Sequence, residues 1–219
     1  MTKEPKISMV IILYCLILYF IWFVLEIFIV SKIELQEISF IIDVIKEILL
    51  KIILWFIPAL LLIRHFDEYM YIKKGEILSV RFKVIKYIPI FLIFTIYHLI
   101  SAYVQNGQIS LSGSFSAIDI LIAFSVGISE EMVFRGWLLN SALNEDQNWL
   151  PILVNAVMFL IIHFPIWIKN GVFLEYLVSG AFLQIILLSI IFSWTFIKSK
   201  SIVIPAFLHI YWDFLCFIL

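Results

Sequence analysis

Three groups of residues in the C-terminal half have side chains able to move protons, at spacings that put them on shared helix faces. Residues 125–139 read SVGISEEMVFRGWLL and set Glu130, Glu131 and Arg135 among Val, Ile, Phe, Trp and Leu. Successive helical residues are about 100° apart, so Glu131 and Arg135, four positions apart, face the same way with the acid on the favoured N-terminal side. Glu130 is five positions from Arg135 and points elsewhere. The spacing predicts that Arg135 neutralises Glu131 and leaves Glu130 free to face another partner. In residues 151–168, PILVNAVMFLIIHFPIWI, the residues Asn155, Phe159 and His163 recur every four positions and share one face. In residues 201–219, SIVIPAFLHIYWDFLCFIL, His209 and Asp213 are four apart, and Pro205 is expected to bend the helix one turn earlier.

Each group alone has a structural explanation: an interfacial charge cluster, a satisfied core histidine, or a polar pair joining two helices. His98 has no polar neighbour at helical spacing and takes the core reading. Together the three groups are harder to dismiss. A charged residue at the centre of a membrane helix costs on the order of 2.5–3.5 kcal/mol, so intramembrane ionisable groups mark functional sites. A carboxylate, two imidazoles and a second carboxylate can activate water. The histidines can orient that water, stabilise an oxyanion or bind a metal such as zinc, for which Glu130, His163, His209 and Asp213 are the candidate ligands.

The elements that must position these residues are apolar helices. Of 219 residues, 64% are hydrophobic and 14% charged, well outside the range of soluble domains. At about 20 residues per span the chain has room for six to eight helices and no separate soluble domain. The fold class expected is all-α, a polytopic membrane bundle of about seven spans: 8–30, 48–63, 87–105, 116–142, 149–168, 172–197 and 202–219. The run from Ser8 to Val30 exceeds a signal-peptide core and lacks a small-residue cleavage site, which predicts a retained first span. The stretch KIELQEISFIIDVIKE before the second span is polar enough to lie at the interface or to pack as an amphipathic helix. Cys15 and Cys216 lie in apolar runs without paired spacing and read as small core residues. No basic cluster suited to nucleic acid appears. Arg64, Lys73, Lys74, Arg81, Lys83 and Lys86 crowd the loop between spans two and three, whereas the next loop has no Lys or Arg. The positive-inside rule then predicts a multi-pass cell-membrane protein with a cytoplasmic N-terminus and an external C-terminus.

The three motifs resemble those of the CPBP or Abi-type intramembrane proteases, relatives of the CAAX prenyl endopeptidase. EEMVFR matches the EExxxR signature, FLIIH the FxxxH motif and HIYWD the HxxxN/D motif, in the family's order. The resemblance covers 115–219 as a catalytic core; residues 1–114, with three N-terminal spans, rest on hydropathy. It implies an intramembrane endopeptidase that cleaves membrane-embedded peptides or proteins. Glu130 would activate water with help from His163; His209 and Asp213 would stabilise the oxyanion or complete a polar or metal site; Glu131, Arg135 and Phe159 would support them. It also implies a role in peptide maturation, bacteriocin self-immunity or regulatory cleavage. An ionised Asp213 cannot donate to an oxyanion as the more common Asn does, so Asp213 is expected to be protonated, to orient His209 or to join a metal. The alternatives are a proton-coupled transporter, disfavoured by the lack of an inverted repeat, and a non-catalytic immunity or adaptor protein.

Overall fold

A computed structural model describes residues 5–34, 44–81, 83–144 and 149–219, and among them the chain is helical with no strand. Helix α1 spans residues 5–34, α2 residues 44–65, α3 Ile88–Asn106 and α4 residues 117–142. They are followed by α5 (Leu150–Ile161), α6 (Phe164–Lys169), α7 (Phe173–Ser179), α8 (Ala181–Ser199) and α9 (Val203–Ile218). Four described segments are long and apolar enough to cross a membrane: Ile7–Val30, Ile88–Asn106, Leu150–Lys169 and Ala181–Ser199. Their large side chains face outward, as with Met9, Phe20, Leu92 and Val104. Water would penalise such a surface, whereas lipid solvates it.

Three local features differ from the expectation. The span expected at 172–197 is divided, because Gly180 takes a left-handed conformation (φ 80°) that a glycine adopts without steric cost and that ends α7 before α8 begins. Pro205 does not bend α9. It falls in the first helical turn, where its missing N–H has no intrahelical partner to lose. Cys216 is exposed, not core, with its thiol 4.0 Å from His98 Nε2. The stretch expected to lie at the interface is outside the described residues over 35–43. Its end, Lys46 and Glu47, is packed inside α2's contacts with the rest of the bundle.

One apolar core joins both halves of the chain, with Ile7, Trp22, Trp55 and Ile63 packed together with Phe134, Trp137, Phe159 and Phe196. A second cluster, including Phe94, Phe192, Leu208 and Trp212, ties α3, α8 and α9 together. The basic loop is also anchored. Asn140 accepts the Ile72 N–H at 2.7 Å and donates to the Ile72 carbonyl at 2.8 Å, satisfying that backbone in both directions at the end of α4.

The close approach of α4 and α9 depends on Gly127. A Cβ there would stand 2.7 Å from Ile210 Cγ1 and 3.0 Å from the Ile210 backbone nitrogen. Ile210 follows His209, so this contact sets the distance between the two motif-bearing helices. Gly127→Ala is expected to lower stability by about 1–3 kcal/mol through overpacking, measured by thermal unfolding in detergent. A wild-type midpoint would show that the helices separate without cost.

Candidate active site

Helix α4 starts at Ser116, whose backbone N–H donates to the Asp119 carboxylate at 2.7 Å in a capping box. Its regular α-helical part ends at Glu131, and Met132–Leu139 continue in wider turns of π type. Such turns interrupt the regular ladder and concentrate at functional sites. Here the Phe134 carbonyl accepts the Asn155 amide at 2.8 Å and joins α4 to α5.

Arg135 Nη1 donates to Glu131 Oε1 at 2.8 Å, the pairing that the spacing predicts. The same oxygen receives His209 Nδ1 from α9 at 2.9 Å. Arg135 Nη2 reaches α8, donating to Ser189 Oγ at 2.7 Å and to the Ser189 carbonyl at 3.0 Å. The guanidinium lies over the rings of Phe159 (4.7 Å) and Phe192 (5.3 Å), and Phe192 stacks on His209 at 5.0 Å. Phe159 also packs edge-on against His163 at 5.1 Å, so it touches every imidazole of the site. A fully buried Glu131 is thereby tied to two helices, and the His209 tautomer is set: Nδ1 holds the proton that Glu131 accepts, and Nε2 turns to the cavity.

Glu130, which the spacing leaves to face another partner, meets one that lies outside the three motifs. Lys51 on α2 donates to Glu130 Oε1 at 2.6 Å. The ammonium is bracketed by the rings of Trp22 (5.5 Å) and Trp55 (5.2 Å) and also meets Glu47 Oε2 at 2.9 Å. Glu47 in turn meets Lys46 at 3.1 Å, and Lys46 meets Glu26 on α1 at 3.2 Å. Glu26 also receives Lys169 of α6 at 3.4 Å. Ion pairs thus run from α6 and α1 through α2 to Glu130, between buried and half-buried groups.

His163 sits where α5 gives way to α6. Pro165 has no N–H to continue the helix, and the turn before it tightens: the His163 N–H bonds to the Leu160 carbonyl at 3.0 Å. The Phe159 carbonyl, which a regular helix would pair with that N–H, instead accepts from His163 Nδ1 at 2.7 Å. Nε2 is left with a lone pair. His163, Glu130, His209, Asp213, Lys51 and Glu47 all line one cavity of about 180 Å³, walled by Trp22, Trp55 and Ile166. His209 Nε2 faces Glu130 Oε2 at 3.8 Å and Asp213 Oδ2 at 3.7 Å. A lone pair between two carboxylates would be repulsive, so these three groups hold a proton between them. Among the described residues no three His, Cys, Asp or Glu side chains converge closely enough to hold a metal ion. With Oε1 engaged by an ammonium, the set Glu130, His163, His209 and Asp213 does not fit a bound metal.

Fold and site together define a helical membrane bundle with an acid–histidine centre around a cavity of about 180 Å³. The model of the family described as type II CAAX prenyl endopeptidase Rce1-like matches residues 112–215, a stretch that holds all three motifs. The match covers just under half of the chain and is consistent with a CAAX-type intramembrane endopeptidase. No curated protein and no solved structure matches it significantly.

Lys51, Glu47, Ser189 and Phe192 fall outside the three motifs. The signal for the first two is an acid and a lysine four apart where α2 enters an apolar run, the same kind of pair that marks Glu131 and Arg135. Ser189 and Phe192 carry no such signal, because a serine and a phenylalanine are ordinary in a membrane helix. Removing the Arg135 charge would strand a buried Glu131. Arg135→Met is expected to cost about 3–5 kcal/mol, and Arg135→Lys to recover only part because it lacks the second arm to Ser189. Thermal unfolding checks this; equal midpoints for Arg135→Lys and wild type would contradict the forked geometry.

Proposed function

We propose that the protein hydrolyses peptide bonds of membrane-associated peptides or proteins with water activated by Glu130. The observation that carries this reading is the shared cavity, in which His209 Nε2 lies 3.8 Å from Glu130 Oε2 and 3.7 Å from Asp213 Oδ2. His163 lines the same space with its Nε2 lone pair available.

In this reading a water binds between Glu130 and His163. Glu130 Oε2 takes its proton as the oxygen attacks the scissile carbonyl. The proton shared by His209 and Asp213 then serves as the donor to the developing oxyanion, a role an ionised Asp213 alone could not fill. Collapse of the tetrahedral intermediate breaks the C–N bond, and Glu130 returns its proton to the leaving amine. The products are a carboxylic acid and an amine, which ionise to carboxylate and ammonium, and Glu130 is restored. Glu131, Arg135 and Phe159 do not touch the reacting atoms; they hold His209 in position. In keeping with the family's description, the substrate class first to be tried is a peptide ending in a prenylated Cys-aliphatic-aliphatic-X sequence. Peptide maturation, bacteriocin self-immunity and regulatory cleavage are the cellular roles that such an activity would serve, with the N-terminus on the cytoplasmic side.

Glu130→Ala and His163→Ala are each expected to reduce cleavage of a quenched fluorescent prenyl-peptide by at least about 100-fold. Both variants should still fold and insert, since Lys51 keeps Glu47 as a partner when Glu130 is lost. Wild-type turnover in both purified variants would overturn the reading. One observation favours a second reading: the buried ion-pair chain that reaches Glu130 through Glu26, Lys46, Glu47 and Lys51 is also suited to passing protons. Proton-coupled uptake into sealed vesicles, lost in Glu130→Gln, would support transport over hydrolysis.

A further inference from the structure

We propose that Lys51 is a positioning residue for Glu130, holding it ionised and assigning one carboxylate oxygen to the ammonium and the other to the cavity. This rests on the hydrolytic reading above only in taking Glu130 as the base. Lys51 belongs to α2, outside the stretch matched to the family.

The surroundings of Glu130 show why it needs such a partner. On its own helix stand Glu131 and Arg135, but Arg135 is committed to Glu131 and to Ser189. Helix α5 brings up to His163, α9 brings His209 and Asp213, and α2 brings Glu47 alongside Lys51. Helix α1 contributes only the face of Trp22. Among the described residues lining the cavity, the permanently charged cation is therefore Lys51, set against Glu47, Glu130 and Asp213. Without it Glu130 would be a buried carboxyl beside other carboxylates, and it would take up a proton at the oxygen that must accept one from water.

The geometry fits a fixed strut and not a mobile surface lysine. The Lys51 side chain is 5% exposed, and two tryptophan faces and Glu47 hold its ammonium in place. It engages Oε1, so Oε2 is the oxygen left facing His209. A water bound there meets one defined lone pair, which limits the poses from which attack can begin.

The test uses the full chain in lipid nanodiscs near neutral pH, with the quenched prenyl-peptide as probe. Lys51→Met keeps the length of the side chain and removes the charge. It is expected to lower kcat by about 100-fold or more while KM stays within about 2-fold, and Lys51→Arg to return within about 10-fold of wild type. A merely structural role would not be rescued by charge in this way. A second measurement needs no turnover. Infrared difference spectra between each protein and its Glu130→Gln counterpart should show an ionised carboxylate for wild type and Lys51→Arg, and a protonated carboxylic acid for Lys51→Met. Should Lys51→Met fail to fold, Lys51→Gln gives the same comparison. An ionised Glu130 in the folded neutral variant, or wild-type kcat there, overturns the proposal. If the wild type does not cleave the peptide, the hydrolytic reading fails on that substrate, and the spectra still decide the role of Lys51.

Discussion

A carboxylate buried among apolar helices must be met by a cation or a proton, and two adjacent glutamates double that demand. The chain meets it with a different cation for each glutamate. Glu131 takes Arg135 and His209, which fastens α4 to α8 and α9. Glu130 takes Lys51, which fastens α4 to α2. Gly127, one turn before, lets α9 approach closely enough for the first of these arrangements. The helices that surround the cavity are therefore held by the same charges that would do the chemistry.

The wide helical turns follow the same charges. Glu26 lies in the turns over Leu25–Val30, Lys46 and Glu47 in those over Ile45–Leu50, and Arg135 in those over Met132–Leu139, with Lys51 between two such stretches of α2. A widened turn gives up regular backbone pairing and turns the following side chains to a new direction, and in a membrane that loss is tolerated only inside the protein. The break between α5 and α6 works by the same economy of backbone groups: Pro165 removes a donor, and the Phe159 carbonyl then fixes the His163 tautomer.

How much of this was legible in the sequence depends on whether a partner is local. The helical class, and the pairing of Glu131 with Arg135, follow from hydropathy and four-residue spacing. The motifs that recruit Glu130, His163, His209 and Asp213 also belong to short contiguous segments, and the structure brings all four to one cavity. The partner of Glu130 is 79 residues away, and no helical period connects Lys51 to it. Lys46 and Glu47 look like an interfacial stretch because local composition cannot report what a distant helix brings against them. The division of the expected sixth span at Gly180 was likewise hidden, since one glycine in a long apolar run is compatible with a continuous helix. Metal ligation was left open by residue type and is disfavoured by the geometry, where an ammonium engages one of the candidate ligands.

The central claim is that Glu130 activates a water molecule and does not itself attack the substrate. Single turnover of the prenyl-peptide in ¹⁸O-labelled water, with excess enzyme and mass analysis of both partners, tests it most directly. The account predicts label in the new carboxylate of the released peptide in the first turnover and none in the Glu130 side chain. Label in the Glu130 carboxylate, or a peptide covalently joined to it, would contradict the account.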